Sequence, residues 1–244
     1  MTAGVAVLMY HWIDEALGDR LRLYGVTPRA FASQLAWLRR RGRRSIDLPA
    51  LRDHLTGGAP APAGSIVITF DDGYVDNAET ALPLLEAAGM TATVFVVTDR
   101  AGATNAWDAK HGDPPRPLLT WERMRALDGK GLRFEPHSRT HPELPTVPRD
   151  RARQEIVGSK RRLEDELGRE AFAFSYPHGA FDDGLEAIVA EAGFRLAVTD
   201  RQGLNRAGGH PLRVRRTMIT SRDVTPTYAI KAMTGYGVWG WFAS

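Results

Sequence analysis

The sequence predicts an α/β fold in which a mostly parallel sheet is covered by helices. Two observations carry that expectation. Short runs rich in Val, Ile and Phe, at residues 65–70 and 92–97, are apolar on both side-chain parities, as strands buried on both faces must be. Between such runs lie longer segments with apolar residues at helical spacing, and strands that alternate with helices imply parallel crossover units. The chain has 244 residues, 43% of them hydrophobic, and shows no internal repeat, so a sizeable core and one domain over residues 1–244 are expected.

Each element has its own signal. Residues 5–10 read as a first buried strand that ends in Tyr10-His11-Trp12. Thr27-Pro28 opens a helix, with Thr as N-cap and Pro at the first helical position, and Phe31, Leu35 and Leu38 recur along it up to Gly42. Leu48-Pro49-Ala50-Leu51 begins a short helix, and residues 57–62 form a Gly/Pro linker too short to divide domains. Residues 65–70 are the central strand, running into Asp71-Asp72-Gly73-Tyr74. Asn77 is expected to cap a helix carrying Ala81, Leu84, Leu85 and Ala88 and stopped by Gly89. After the strand at 92–97, residues 101–117 lack periodicity and read as a long loop walling a cleft, with Trp107 and His111 available to a sugar.

Thr120-Trp121 opens a helix expected to reach Gly131, and residues 132–135 form the strand that delivers His137 and His141. Residues 149–167 make the longest helix, with Ile156, Leu163 and Leu167 on one face. A strand at 171–176 enters Pro177-His178-Gly179, a helix at 183–192 stops at Gly193, and strands follow at 196–199 and around 212–219. A closing helix is expected at 225–236, with Trp239, Trp241 and Phe242 packing back on the fold.

Composition excludes several roles. The formal net charge is +3, and the one dense basic run, Arg39-Arg40-Arg41-Gly42-Arg43-Arg44, falls at a helix end where arginine suits the dipole. It reads as a solvated surface, and no nucleic-acid partner is expected. The chain has no cysteine, which removes disulfides and thiolate ligands. No segment approaches the length of an apolar membrane span. Met1-Thr2-Ala3-Gly4 leads directly into the first strand without a basic leader or cleavage pattern. A cytoplasmic location is expected if Met1 is the native start, and an extracytoplasmic one if the sequence has been trimmed.

The chemistry concentrates at two places. Asp71 and Asp72 stand at the C-terminal end of the central strand, where parallel α/β sheets carry their sites. Alternation along a strand allows the two acids different jobs, and Gly73 permits the turn that follows. Two neighbouring buried carboxylates need a compensating cation or base. His137 and His141, four apart, are expected on one face of a helical turn, close enough to chelate one ion. Two imidazoles and one carboxylate make the open three-ligand set of a catalytic zinc-type site.

Thr69-Phe70-Asp71-Asp72-Gly73 together with His137-Ser138-Arg139-Thr140-His141 resembles the signature of the polysaccharide deacetylases, the NodB-homology proteins of carbohydrate esterase family 4. The resemblance implies a distorted (β/α)7 barrel and metal-dependent removal of N-acetyl groups from N-acetylhexosamine residues of a glycan. It assigns Asp71 as general base and Asp72, His137 and His141 as ligands of a divalent ion, zinc first, with Co2+, Ni2+ or Mn2+ as substitutes. It makes the backbone amide of His178, which follows Pro177, the oxyanion donor. His11 at the end of the first strand, Tyr74, Tyr176, Pro177 and Trp107 are expected around the substrate.

The sequence also departs from that family. Many members carry an arginine two residues before the proline of the third motif, where it orders the base; here that position is Ser175. A tryptophan-containing fourth motif and the late leucine-histidine motif that supplies a general acid are not recognisable. His11, His178 and His210 are therefore rival acids, Arg216 is a candidate for a late arginine, and Glu135 for a partner of a ligand histidine. Two other readings compete on the same residues: an amidohydrolase acting on a small-molecule or lipid-linked amide, and a glycan-binding relative without activity. A phosphoryl-transferring aspartate nucleophile would want Asp-x-Asp and leaves the histidine pair without a role.

Overall fold

In the computed structural model, residues 4–18 and 20–237 are described, the side chain of Lys110 excepted. The expectation for Trp239, Trp241 and Phe242 lies outside those residues.

The opening strand β1 (Ala6–Tyr10) is wholly buried, as its apolar run requires. Two short strands unsignalled by sequence follow: β2 (Trp12–Ile13) and β3 (Gly25–Val26) pair with each other in parallel. Helix α1 (Pro28–Arg40) starts where expected, with the Thr27 hydroxyl accepting from the Ala30 amide. The two-residue β4 (Arg44–Ser45) precedes α2 (Leu48–Leu55), which is capped by the Asp47 carboxylate. Next come the central strand β5 (Ser65–Phe70) and α3 (Leu82–Ala88), entered through a π-helical turn, Asn77–Ala81, and closed by Gly89 at φ 66°. Asn77 does not cap this segment. Its amide instead donates to the His11 carbonyl at 2.8 Å, tying the helix entry to the end of β1.

Strand β6 (Ala92–Val96) leads to the long loop, which contains a 3-10 stretch, Ala106–His111. Helix α4 (Trp121–Leu127) has the expected Thr120 cap but ends short of Gly131. Strand β7 (Leu132–Pro136), helix α5 (Arg149–Leu167), β8 (Ala173–Ser175), α6 (Asp183–Glu191), β9 (Leu196–Val198), β10 (Thr217–Met218) and α7 (Thr225–Thr234) complete the order. Residues 211–213 form a 3-10 turn and not a strand.

Six strands make one parallel sheet in the order β10-β1-β5-β6-β7, with β4 against the start of β5. Strands β8 and β9 form a separate parallel pair, and the ladder does not close into a complete barrel among the described residues. Parallel pairing with helical crossovers aligns the C-terminal ends of β1, β5, β6 and β7 on one side. That is where the charged motifs lie. A large apolar cluster fills the space between sheet and helices around Phe31, Phe70, Phe134 and Phe174. A second gathers Val5, Val67, Phe95 and Val198, which alternate along the chain with residues of the first cluster. At roughly 25 cal/mol per Å2, burying one such phenylalanine contributes on the order of 2–3 kcal/mol. No helix among the described residues is long and apolar enough to cross a membrane.

Candidate metal centre

The site begins at the end of β5. The Asp71 amide still donates to the Tyr10 carbonyl at 2.9 Å, so the ladder runs one residue beyond the strand. Asp72 then takes a left-handed φ of 76° and Gly73 one of 82°. This reversal breaks strand alternation and turns both carboxylates into one cavity. A Cβ on Gly73 would lie 2.8 Å from Cγ1 of Val96, so close approach of the turn to β6 requires glycine there.

The two acids have opposite surroundings. Asp71 receives a two-pronged ion pair from Arg216, Nη1 to Oδ1 at 2.6 Å and Nη2 to Oδ2 at 2.7 Å. Burial alone would raise its carboxyl, but the Arg216 guanidinium and, behind it, His137 outweigh that and hold it down at about 2. Asp72 has no such partner. Burial, and then the charge of Asp71, push its carboxyl well above the usual range, and its buried Oδ1 accepts no hydrogen bond. An anionic Asp72 therefore needs a cation.

The candidate ligands surround that oxygen. Oδ1 of Asp72 lies 3.7 Å from Nε2 of His137 and 3.4 Å from Nε2 of His141. Ligand atoms from Asp72, His137 and His141 all fall within 4.8 Å of one another, and all three residues are buried. The histidines are not on a helical turn, as their spacing suggested. They flank an irregular loop after β7 in which Ser138 and His141 both have positive φ, 62° and 65°. The chelating geometry comes from that loop. Burial lowers both imidazoles, His137 to about 4 and His141 well below its ordinary value, leaving neutral rings with a lone pair to offer. Nδ1 of His137 donates to the Ser175 carbonyl at 2.8 Å, which leaves Nε2 as the ligand atom. The donor set, the orphaned Asp72 oxygen and the neutral rings fit a divalent ion with an open coordination position.

Among the described residues, four non-glycines have positive φ: Asp72, Ser138, His141 and His178. All four belong to this site. Backbone strain of this kind collects where a fold is bent to a function.

The cavity above the acids has a volume of about 270 Å3 and is lined by His11, Trp12, Tyr24, Tyr74, Trp107, His111, His178 and Asp200 among others. Six sequence candidates thus come together beside the Asp/His cluster: Asp71, His11, Tyr74, Trp107, His111 and His178. Trp107 stacks on His141 with ring centroids 4.8 Å apart, and His178 meets the same ring edge-on at 4.6 Å. Burial, and then the charge of Asp72, push the Tyr74 hydroxyl well above its ordinary value.

Three candidates fall elsewhere. His210 is exposed on the turn at Pro211, 3.6 Å from Glu186, and does not line the cavity. Tyr176 is fully buried in the core against Phe174 and Phe181, with its hydroxyl on the Leu212 carbonyl. Pro177 is buried and likewise lines no part of the cavity. Glu135 is not a partner of a ligand histidine: its side chain pairs with Arg133 and Arg169 and accepts from the amides of Phe172 and Ala173.

Arg216 and Asp200 are the residues the motifs underplayed. Arg216 is fully buried and also reaches the Thr199 carbonyl, the Ser175 hydroxyl and Asp200. Ser175, at the position of the absent arginine, leaves room for this guanidinium and hydrogen-bonds it. The signal was a lone arginine in a weakly patterned segment, which local sequence cannot place.

A family model described as "Polysaccharide deacetylase" matches residues 58–197. A Bacillus subtilis protein carrying the polysaccharide deacetylase name is 28% identical over 201 residues, covering 82% of this chain and 66% of its own. A poly-beta-1,6-N-acetyl-D-glucosamine N-deacetylase of Escherichia coli is 28% identical over 127 residues, covering 51% of this chain and 19% of its own. The chain thus spans less than two thirds of the length of both relatives. The solved deacetylase PplD of Streptococcus pyogenes, in complex with acetate, superposes with a TM-score of 0.80 at 25% identity, over 96% of this chain and 99% of that one.

Proposed function

The chain belongs to the polysaccharide deacetylase family, and from that premise we propose that it is a metal-dependent hydrolase that removes N-acetyl groups from N-acetylglucosamine-type residues of a glycan. One observation carries the reading: three buried ligand groups converge beside a fourth, Asp71, that is held ionised by an arginine and stays outside the cluster. The names of the relatives, one acting on a poly-N-acetylglucosamine and one solved with acetate, support the substrate class.

Asp72, His137 and His141 would hold the ion, zinc or a similar divalent metal. When bound, it supplies Lewis-acid polarisation of the acyl carbonyl and lowers the pKa of water toward about 7. Asp71, kept anionic by Arg216, takes the proton as water oxygen adds to the acyl carbon. The His178 amide is the proposed donor to the oxygen that gains charge. The C–N bond then breaks, the leaving nitrogen takes a proton, and acetate and a free amine result. His11, which lines the cavity, is the proposed proton donor. Burial lowers it to about 4, and the charge that favours its protonated form is Asp71. A proton on His178 would stand against the ring of ligand His141. Trp107 and Tyr74 would shape the sugar's surroundings. The reading as a binding protein without activity rests on a missing arginine and a missing general acid, and Arg216 supplies the guanidinium that Ser175 lacks.

The test is acetate release from N-acetylglucosamine oligomers by metal-stripped protein, with zinc or cobalt then restored, alongside Asp71→Asn. Release that depends on metal and drops at least a hundredfold in Asp71→Asn is expected. Full metal occupancy without release from any oligomer would end the glycan reading and turn attention to small or lipid-linked amides.

A further inference from the structure

The two histidines of the cluster are held in different ways. His137 is fixed through its ring, Nδ1 donating to the Ser175 carbonyl at 2.8 Å. The Nδ1 of His141 is buried and finds no partner among the described residues. Apart from its ring contacts with Trp107, His137 and His178, the aim of its Nε2 depends on the backbone from Ser138 to His141. That backbone is strained, with two non-glycine residues at φ 62° and 65°. Such a conformation persists only where the surroundings impose it.

What imposes it is a carboxylate on α5. Glu155 has no exposed surface. Its Oε2 accepts from the amides of Arg139 and Thr140, both at 2.8 Å, and its Oε1 from the Thr140 hydroxyl at 2.7 Å. Arg151, one helical turn earlier, balances the charge at 2.6 Å. The Ser138 hydroxyl completes the lock by accepting from the His141 amide at 3.0 Å. Three charge-assisted hydrogen bonds to consecutive residues of one loop are far more than a helix needs for docking.

We infer that Glu155 is a positioning residue of the metal site: it clamps the loop in the one form that aims His141 at Asp72 and His137. The inference rests on the metal-site reading above and extends it to a residue in none of the motifs. It separates the two ligands, because Glu155 acts through His141 and not through His137.

Zinc affinity, measured by competition with a chelating dye on metal-stripped protein, tests it without recourse to activity. Glu155→Gln keeps the volume but sets an amide against two amide donors. It should weaken zinc binding about tenfold to a hundredfold, the usual effect of losing a partner one shell out from a metal. Thr140→Val removes one of the three bonds and should weaken it several-fold; it carries the test if Glu155→Gln does not fold. In a His141→Ala background Glu155→Gln should cost nothing more, whereas in a His137→Ala background it should keep its full effect. Equal losses in both backgrounds, or wild-type affinity in Glu155→Gln and Thr140→Val, would overturn the inference while leaving the metal site intact. A wild-type protein that binds none of zinc, cobalt, nickel or manganese would instead overturn the reading beneath it.

Discussion

Arg216 joins segments that the sequence keeps far apart: Thr199 and Asp200 after β9, Ser175 at the end of β8, and Asp71 after β5. A fully buried guanidinium is tolerated only with such complete pairing. Its consequence for chemistry is a sign. With Arg216 present, the Asp71 carboxyl sits at about 2, below its unfolded value, so Asp71 is ionised throughout the neutral range. Arg216→Met removes the largest downward influence and leaves burial, which acts upward. The acid limb of the kcat/KM profile should therefore move to higher pH, with kcat/KM at pH 7 falling at least tenfold. A variant whose acid limb stays in place would show that Arg216 does not set the base. The same depression makes a stability prediction in the wild type. Its contribution is complete above about pH 4, the unfolded carboxylate value, and is lost as pH falls toward 2. At this scale the sequence offered good candidates wherever a motif named them. It misplaced Tyr176 and His210, because exposure and direction depend on neighbours far along the chain: Leu212, 36 residues from Tyr176, and Glu186, 24 from His210.

Elements show where local rules prevail and where they yield. Caps and stops followed the sequence: Thr27, Thr120 and Gly89 each act as their chemistry directs. The turn after β5 also follows it, since Gly73 is both left-handed and pressed against Val96. Gly73→Ala adds a Cβ 2.8 Å from Val96 in a backbone that disfavours it, and should cost roughly 2–4 kcal/mol, read as a lower urea midpoint. A loss below about 0.5 kcal/mol would mean the turn has room to relax. The His137–His141 loop went the other way. Four-residue spacing suits a helical turn, yet Glu155 withdraws the amides of Arg139 and Thr140 from any helical ladder. The two-residue strands β2, β3 and β4 had no sequence signal, because so short a pairing has no periodicity to display.

For the whole molecule, the site is a meeting of parts. Asp72 comes from the end of β5, His137 and His141 from the loop after β7, Arg216 from the segment before β10 and Trp107 from the long loop. A metal bound by three of these groups binds the folded state and not the separated pieces. Metal excess at a hundred times its Kd should then add about 2.7 kcal/mol of stability. For a chain of this size that is a rise in Tm of roughly 5–10 °C over the stripped protein. No shift with any divalent ion would count against the metal centre. Asp72→Asn should abolish the shift while sparing the Tm of the stripped protein, since the Asp72 carboxylate is a burden without its cation.

By itself the sequence determined the class of fold and the order of its main strands and helices, and it named Asp71, Asp72, His137 and His141, which the fold brings together in one buried cluster. Those properties are written in short windows: apolar parity, caps, and motifs of five residues. Only the tertiary structure decided which arginine holds Asp71, which of three rival histidines stands outside the cavity, and which helix carboxylate accepts from the loop of His141. Each of these depends on where parallel crossovers bring distant segments together, as Arg216 meets Asp71 across a separation of 145 residues. A guanidinium or carboxylate satisfies a partner through space, and nothing in its own neighbourhood along the chain records which partner that is.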